Sequence, residues 1–310
     1  MKPRQRQLDE VNIMRVFVTG ASGFIGSAVV PELISAGHQV LALARSDATA
    51  KSLTAAGAQV LRGNLEDLES LRSGAAQSDG VIHTAFNHDF SNFQANCEND
   101  RRALEAMAGA LAGSSRPLII SSGVGLLAPG QISTEDQAVD PTSRFPRVLT
   151  EVTADALAAR GVHVSVIRLA PSVHGDGDHG FVPLIINLAR EKGASIYIGD
   201  GNNRWPAVHR LDAARLFRLA LEKNVIGGRY HGVAEEGIPF REIAKVIGRR
   251  LEVPVLSKTP EEAQAHFGWF THFAMLDAPS SNRRTREVLG WEPRHPGLIA
   301  DLDRPRYFTQ

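Results

Sequence analysis

The stretch RVFVTGASGFIGSAVVPELISAGHQVLALAR, residues 15–45, contains two short apolar runs separated by an amphipathic segment. The first run, residues 15–20, ends in glycine, and the second run covers residues 38–45. Between them, apolar side chains recur at helical spacing from Phe24 to Ala36. Short apolar runs bounded by turn residues are typical of buried strands, so this stretch predicts a β-α-β unit.

The same alternation of strand and helix continues along the chain. Further apolar runs predict strands at 58–65, 80–86, 116–122 and 162–170, and helical patterns occur at about 92–112 and 146–160. Strands that are apolar on both faces and alternate with helices form parallel sheets covered on both sides. Each crossover between them is expected to be right-handed. We therefore expect an α/β fold with a doubly wound parallel sheet.

The charge balance is that of an ordinary globular protein. The 310 residues include 34 Lys and Arg and 34 Asp and Glu, so no net charge attracts nucleic acid or an anionic membrane. No apolar run is long enough to span a bilayer, and residues 1–13 lack the apolar core of a signal peptide, which predicts a cytoplasmic protein. The one cysteine, Cys97, excludes an internal disulfide and a cysteine-based metal cage.

A glycine motif lies exactly at the first strand-to-helix turn. Residues 19–26 read TGASGFIG, in which Gly20 allows a tight turn, Gly23 allows a close approach of phosphate, and Gly26 allows the helix to pack on the strand. The helix N-terminus then presents free N–H groups and partial positive charge to an anion. The motif predicts dinucleotide binding through Thr19, Gly20, Ser22, Gly23, Phe24, Ile25 and Gly26.

The residues after the second strand favour NADP over NAD. An NAD site would place an acidic residue there for the ribose 2′-OH, whereas this chain has Arg45 and Ser46, and arginine suits a 2′-phosphate. Asp47 leaves NAD as an alternative. Further along, we expect Asn64 and Leu65 at the adenine and the residues Thr84, Ala85, Ala170 and Ser172 near the nicotinamide ribose. His83 is either part of that channel or a core histidine.

The chain resembles an extended short-chain dehydrogenase/reductase of the NAD-dependent epimerase/dehydratase type. The likeness covers nearly everything after Met14 and rests on TGASGFIG, GNLED after strand 3, LIISSG, VIRLAPSVHG, WPAVHRLDAARL and LGWEP, in that order. It implies a Rossmann-type domain at 14–171 with a return segment at about 203–232, and a small C-terminal α/β substrate lobe at 172–202 and 233–310. Because Met14 directly precedes the first strand, residues 1–13 are expected to be either a disordered extension or an upstream misassigned start. The resemblance also implies a possible homodimer through the helices at 92–112 and 146–160.

The resemblance implies a catalytic Tyr-x-x-x-Lys pair, which this sequence lacks. None of its three tyrosines, Tyr197, Tyr230 and Tyr307, has a lysine four residues later. Counting from the family's Glu, Gly and Arg positions, matched here by Glu151, Gly161 and Arg168, places the tyrosine slot at Ser143 and the lysine slot at Arg147. The chain is therefore an atypical member by this motif.

The missing tyrosine leaves the proton donor to be found elsewhere. We expect Arg147 to hold the nicotinamide ribose, with Arg144 as a second basic group, but a guanidinium cannot release a proton at neutral pH. Ser143 is a poor acid. Histidine has the suitable pKa, which makes His174, or His179 in the same loop, the candidate donor; the alternative is that these histidines only contact cofactor or substrate. Asp176 and Asp178 in that loop match no strong metal pattern, so no metal is expected.

Several polar and aromatic residues are expected to contact a small-molecule substrate. Ser122, at the end of strand 5, is the preferred hydroxyl for orienting the substrate oxygen, with Ser121 as the alternative. Arg204, Trp205 and His209 are expected at the substrate side of the crevice; the alternative is that Trp205 belongs to the core and Arg204 to the surface. Asp212 is the expected N-cap of the following helix.

These features favour one function and leave two alternatives. The favoured function is an oxidoreductase that passes hydride between NADP and a carbonyl or alcohol carbon. The loss of the tyrosine instead favours a non-catalytic NADP-binding redox sensor or regulator. A sugar-nucleotide epimerase or dehydratase is the weaker alternative, because it would also need the tyrosine.

Overall fold

A central seven-stranded sheet dominates the computed structural model, which describes residues 13–309. The strands are β1 (Arg15–Thr19), β2 (Gln39–Ala44), β3 (Gln59–Arg62), β4 (Gly80–His83), β5 (Leu118–Gly123), β6 (Val164–Leu169), β7 (Ser172–His174), β8 (Ser195–Ile198), β9 (Arg204–His209), β10 (Arg229–Gly232), β11 (Glu235–Pro239) and β12 (Val255–Lys258). The helices are α1 (Gly26–Ser35), α2 (Asp47–Ala55), α3 (Leu68–Ala76), α4 (Phe93–Leu111), α5 (Val148–Ala159), α6 (Phe181–Lys192), α7 (Arg210–Lys223), α8 (Phe240–Leu251), α9 (Pro260–Phe267), α10 (Thr271–Ala274), α11 (Arg283–Leu289) and α12 (Leu298–Leu302).

The central sheet is parallel throughout and covered by helices on both faces. Its order is β10-β6-β5-β4-β1-β2-β3, and every neighbouring pair is parallel. Helices α1 and α7 bury Leu33 and Phe217 against one face, whereas α3, α4 and α5 bury Leu71, Leu104 and Leu157 against the other. The predicted Rossmann-type fold is confirmed. The helices expected at 92–112 and 146–160 are α4 and α5.

The strand order reverses next to β1. The chain runs outward from β1 through β2 to β3 and then returns to β4 on the opposite side of β1. Thr19 and His83, the last residues of β1 and β4, lie side by side. In open α/β sheets, the crevice at such a reversal is where ligands bind.

A smaller unit follows β6. Strands β7, β9 and β11 form a three-stranded sheet, and β8 pairs with β12. Trp205, Phe240 and Phe270, all fully buried, form the centre of its core. Within the expected return segment, β10 joins the central sheet, whereas β9 belongs to the small sheet. The extension expected at 1–13 lies outside the described residues except for Ile13.

Two helix starts differ from the predictions. Helix α1 begins at Gly26 rather than Phe24. The N-cap of α7 is His209, whose ring accepts a hydrogen bond from the Leu211 N–H, so the prediction of Asp212 was wrong. Asp212 instead accepts hydrogen bonds from the backbone of Arg294 and His295. No helix within residues 13–309 has the length and apolar content needed to cross a membrane.

Candidate functional site

The turn between β1 and α1 has no room for side chains at two of its glycines. Gly20 has φ +69°, and a Cβ there would lie 2.6 Å from the Ala85 nitrogen. A Cβ on Gly26 would overlap the carbonyl oxygen of Gly20. Helix α1 has no acidic residue in its first turn and no side-chain cap, since Ile25 occupies the N-cap. The turn thus leaves an uncapped helix N-terminus beside the crevice, which suits an anion.

Two arginines lie at the adjoining ends of β2 and β3. Arg45 is exposed. The Arg62 guanidinium lies 3.5 Å from the carbonyl oxygen of Arg45 and forms a 3.1 Å ion pair with Asp47. The Asp47 carboxylate is therefore partly neutralised. Ser46 caps α2 through a hydrogen bond from the Thr49 N–H. Arg62 was missed in the sequence because nothing local in its strand distinguishes it from a surface residue.

A cavity of about 260 Å³ lies between the loop after β3 and helix α4. Its lining includes Leu65, Asn99 and Arg102. Leu65 was expected at the adenine. The neighbouring Asn64 uses its side-chain oxygen to accept hydrogen bonds from the Glu66 and Asp67 N–H groups, so it shapes the loop rather than lining the cavity.

The remaining residues expected near the nicotinamide ribose follow the carboxyl ends of β4 and β6. Thr84 and Ala85 are half-buried directly after β4, and Thr84 donates a hydrogen bond to the Thr19 carbonyl. Ala170 and Ser172 are buried at the junction between β6 and β7. The Ser172 hydroxyl has no partner among the described residues.

A buried polar network connects the crevice to α4 and α5. His83 is 1% exposed, and its two ring nitrogens lie 2.6 Å from the Thr19 hydroxyl and 3.0 Å from Asp100. Asp100 also accepts hydrogen bonds from Arg147 and Thr150. Burial raises the pKa of Asp100, but the Arg147 charge and these hydrogen bonds outweigh it and hold the pKa well below its usual range. His83 is therefore a core histidine, the second of the two interpretations above.

Arg147 immediately precedes α5, and its guanidinium has several structural contacts, one of them a 2.6 Å hydrogen bond to the Thr150 hydroxyl. The guanidinium also bonds Asp100 at 2.6 Å and the Ser121 carbonyl at 3.1 Å, and it lies 4.0 Å from the centre of the Phe86 ring. The side chain is 14% exposed. Asp100 neutralises its charge, and only its exposed edge remains for a ribose. Ser143 has no such anchoring: it is exposed, and its hydroxyl accepts a hydrogen bond from the Phe145 N–H.

The two serines that end β5 have different surroundings. Ser122 is 7% exposed and donates a 2.7 Å hydrogen bond to Glu151, which in turn pairs with the fully buried Arg168. Ser121 is half-buried and donates to the His83 carbonyl at 3.3 Å. Neighbouring side chains on a strand point to opposite faces. Ser122 is therefore committed to a structural network, whereas Ser121 is the more accessible of the two hydroxyls.

The two histidines of the loop after β6 lie in different environments. His174 is 1% exposed and bonds Asp301 at 2.9 Å. Burial lowers the pKa of His174 despite the opposing Asp301 charge. His174 is therefore committed to Asp301 and presents little of its ring to the crevice. His179 is exposed, and its ring centre lies 5.6 Å from that of Phe24 in the glycine turn.

Two acidic residues of the same loop do not form a metal site. Asp178 accepts a hydrogen bond from Tyr307 at 3.1 Å, and burial raises the pKa of its carboxyl to about 6. Asp176 is exposed and pairs with Arg306. Within residues 13–309, no group of three His, Cys, Asp or Glu side chains has a geometry that could hold a metal ion.

The three residues expected at the substrate are mainly structural. Trp205 is fully buried and donates to the Phe273 carbonyl at 3.2 Å, so its alternative assignment to the core is correct. Arg204 pairs with Asp277 at 2.9 Å. His209 is 7% exposed and stacks on His295 with ring centres 4.7 Å apart. Trp205 and His209 thus expose too little surface to bind a substrate.

Six aromatic rings from separate parts of the chain meet beside the crevice. We call this group the aromatic cluster; its members are Phe86, Phe90, Phe93, Phe145, Trp269 and Phe273. His88 packs on its edge, 5.1 Å from Phe86 between ring centres. Burial and the Arg147 charge lower the pKa of His88. The sequence offers two signals: the spacing of Phe86, Phe90 and Phe93, and the aromatic stretch HFGWFTHF at 266–273, which could line a pocket or fill a small core. Neither signal shows that the two segments meet.

Comparisons with known proteins agree with this arrangement. A profile of the NAD-dependent epimerase/dehydratase family matches residues 16–231. An uncharacterized protein of Schizosaccharomyces pombe is 53% identical over 296 residues, which are 95% of this chain and 100% of that protein. The 2-alkyl-3-oxoalkanoate reductase of Stenotrophomonas maltophilia is 27% identical over 262 residues, which cover 79% of this chain and 78% of the reductase.

A solved structure shows the same fold. The dTDP-glucose 4,6-dehydratase from Streptomyces venezuelae, crystallised with NAD and TYD bound, has a TM-score of 0.75 to this chain. The match covers 95% of this chain and 97% of the dehydratase at 20% identity. With the family profile spanning the central sheet and its glycine turn, the chain belongs to the NAD-dependent epimerase/dehydratase family of extended short-chain dehydrogenases/reductases.

Proposed function

We propose that the chain is an oxidoreductase that transfers hydride between NADP and a carbonyl or alcohol carbon. One observation carries this proposal: the glycine turn lies at the β1–β4 crevice, beside the end of β5, where Arg147 donates a hydrogen bond to the backbone. One similar protein is named as an oxoalkanoate reductase, which supports the same class of reaction. In solution we expect a cytoplasmic protein; a homodimer stays a prediction, and none of the large apolar side chains exposed within residues 13–309 lies on α4 or α5.

The residues around the crevice fit a dinucleotide. Gly20 and Gly26 let the turn pack tightly, because a Cβ at either position would clash with neighbouring backbone, and the uncapped start of α1 would receive the pyrophosphate. Arg45 and Arg62 would hold the 2′-phosphate, and Leu65 would contact the adenine. When bound, the nicotinamide supplies or accepts the hydride.

The chain's own residues would orient the substrate and deliver the proton. Ser121 would donate a hydrogen bond to the substrate oxygen, while Arg147 fixes the backbone of the same strand end. We assign proton delivery to His88, because its ring adjoins Phe86, which covers Arg147. His179 lies instead against the glycine turn, where it would contact the cofactor.

A second function remains supported by one observation. The Arg147 charge is neutralised by Asp100, and the family's tyrosine is absent, so this crevice has lost the usual pair of catalytic groups. A non-catalytic NADP-binding sensor or regulator would need only the nucleotide site. The sugar-nucleotide alternative has no such support.

Turnover separates the two functions. NADPH and NADH are titrated by fluorescence, and a panel of ketones and aldehydes is then added while NADPH oxidation is followed by absorbance. The oxidoreductase predicts saturable NADPH binding and turnover that falls in Ser121→Ala. Tight NADPH binding without turnover on any carbonyl compound would favour the sensor, and the absence of binding to either nucleotide would contradict both.

A further inference from the structure

We propose that the aromatic cluster is the substrate-binding surface and that its ligand is a flat, uncharged, ring-bearing carbonyl compound. This inference rests on the proposed function, since it names the substrate class for the same crevice. Four observations support it: the geometry of the rings, their exposure, their contact with Arg147, and the neutralised charges beside them.

The rings form a continuous surface between two parts of the chain. Phe90 stacks on Trp269, with ring centres 4.8 Å apart and planes inclined by 28°. It also stacks on Phe93 at 5.3 Å, and Phe93 lies 5.5 Å from Phe145. The segment between β4 and α4 is thereby joined to the segment around α10. Near-parallel rings at these separations offer the geometry in which a further flat ring can stack.

The rings remain partly exposed although they pack together. Trp269 is 55% exposed, and the other five members of the cluster are half-buried. The core of the small unit differs: Phe240 and Phe270 are fully buried. Contiguous exposed apolar surface is costly in a folded protein and commonly marks a binding site. The aromatic cluster therefore differs from a packing core in the property that a ligand would use.

The cluster begins where the reaction is proposed to occur. One side of the Phe86 ring contacts Phe93 at 5.9 Å between centres, and the Arg147 guanidinium lies 4.0 Å from the Phe86 centre. The same guanidinium bonds the carbonyl of Ser121. A ring system on the cluster would thus place an attached carbonyl near the Ser121 hydroxyl.

The charges beside the cluster favour an uncharged ligand. Arg147 pairs with Asp100, and Arg204, next to the segment carrying Phe273, pairs with Asp277. Transferring a charged diphosphate to an apolar surface is costly unless cations compensate it. Both arginines already have carboxylate partners. A nucleotide sugar would therefore gain little attraction from these two arginines, whereas an uncharged aromatic ketone has no charge to desolvate.

The tryptophans provide a direct test with α-tetralone, a flat bicyclic ketone, as the probe. Trp205 and Trp291 are fully buried, so Trp269 is the one tryptophan that acrylamide can reach readily. We expect α-tetralone, with or without NADPH, to protect this emission from quenching. We also expect Trp269→Ala to weaken α-tetralone binding, measured by calorimetry, by roughly three- to tenfold, the value of one aromatic pair. Trp269→Phe should retain most of the affinity, and Leu256→Ala, at an exposed residue of β12 outside the aromatic cluster, should retain all of it.

The outcomes separate this inference from the function on which it rests. Trp269-dependent binding of α-tetralone without any NADPH oxidation would support the surface and overturn the oxidoreductase. Turnover of short aliphatic aldehydes with KM values unchanged in Trp269→Ala and Phe90→Ala would support the oxidoreductase and overturn the surface. Saturable binding of UDP-glucose, or no binding of α-tetralone by a protein that binds NADPH, would also overturn the proposed substrate class.

Discussion

Arg147 donates a 2.6 Å hydrogen bond to Asp100, and the carboxylate is 1% exposed. The pair joins the start of α5 to the middle of α4, and through His83 it reaches the end of β1. Arg147 occupies the position at which the short-chain dehydrogenases/reductases that this chain resembles carry a catalytic lysine. Here, the cation at that position is held by a buried carboxylate and supports the shape of the crevice.

Removing the charge of Asp100 should therefore destabilise the fold. Asp100→Asn leaves Arg147 unpaired while preserving side-chain shape, and breaking a buried ion pair costs about 3–5 kcal/mol. Urea denaturation would measure this loss in the free energy of unfolding. Glu69→Gln breaks the exposed pair with Arg72 and should change that free energy by about 1 kcal/mol or less.

The same pair gives the acid dependence of stability. Because the pKa of Asp100 is lowered in the folded state, its contribution is complete above the ordinary Asp pKa of about 3.9 and is lost as pH falls below it. Asp100→Asn should accordingly flatten part of the acid limb in the plot of unfolding free energy against pH. An unchanged acid limb would contradict the assigned pKa direction.

A methyl group at Gly26 should weaken nucleotide binding. Its Cβ would overlap the Gly20 carbonyl, so Gly26→Ala must displace the turn. We expect at least a tenfold rise in the Kd for NADPH, measured by fluorescence. Gly109→Ala is the matched control: its Cβ would meet nothing within 4 Å in α4, and alanine should stabilise that helix by about 0.5–1 kcal/mol. Equal NADPH affinity in Gly26→Ala would mean that the nucleotide does not use this turn.

Arg45 and Arg62 should discriminate NADPH from NADH. Each charge-assisted hydrogen bond to a 2′-phosphate is worth about 1.5–3 kcal/mol, so Arg45→Ala or Arg62→Ala should weaken NADPH binding roughly ten- to hundredfold. NADH binding should be unchanged, and Arg72→Ala should affect neither nucleotide. If both nucleotides lost affinity equally, the arginines would have a structural role instead.

The pH profile of carbonyl reduction tests His88. A proton donor must be protonated, and the pKa of His88 is lowered, so kcat/KM should fall as pH rises, with a midpoint below the ordinary histidine value of about 6.5. His88→Gln should remove this titration and lower kcat about a hundredfold or more. His266→Gln, on α9, should leave the profile intact. If the same pH dependence persisted in His88→Gln, a group other than His88 would be the proton donor.

Local patterns were sufficient for the framework of the fold. The apolar runs and helical periodicity of residues 15–45 depend on neighbours in the sequence, and so does the glycine turn. The same holds for α4 and α5, whose apolar faces repeat over several turns. These elements could be predicted because the contacts that determine them join residues that are close together in the sequence.

The site depended on contacts that the sequence does not show. Ser122 and Ser121 differ only in which face of β5 they occupy, and this is set by the partners of the strand. His174 is buried because Asp301, 127 residues later, reaches it. Phe90 stacks on Trp269, which belongs to a distant part of the sequence. Burial and pairing at such separations require the three-dimensional structure.

The hydroxyl of Tyr307 accepts a hydrogen bond from the Gly175 N–H at 3.1 Å and donates one to Asp178. It therefore ties the end of the described chain to the loop whose His179 rests against the glycine turn. Proteolytic trimming that removes Tyr307 would release this loop while leaving the central sheet intact. Loss of the segment that carries Tyr307 would then be measured as weaker nucleotide binding. Affinity tags for such measurements should therefore be placed at the amino-terminal end of the chain.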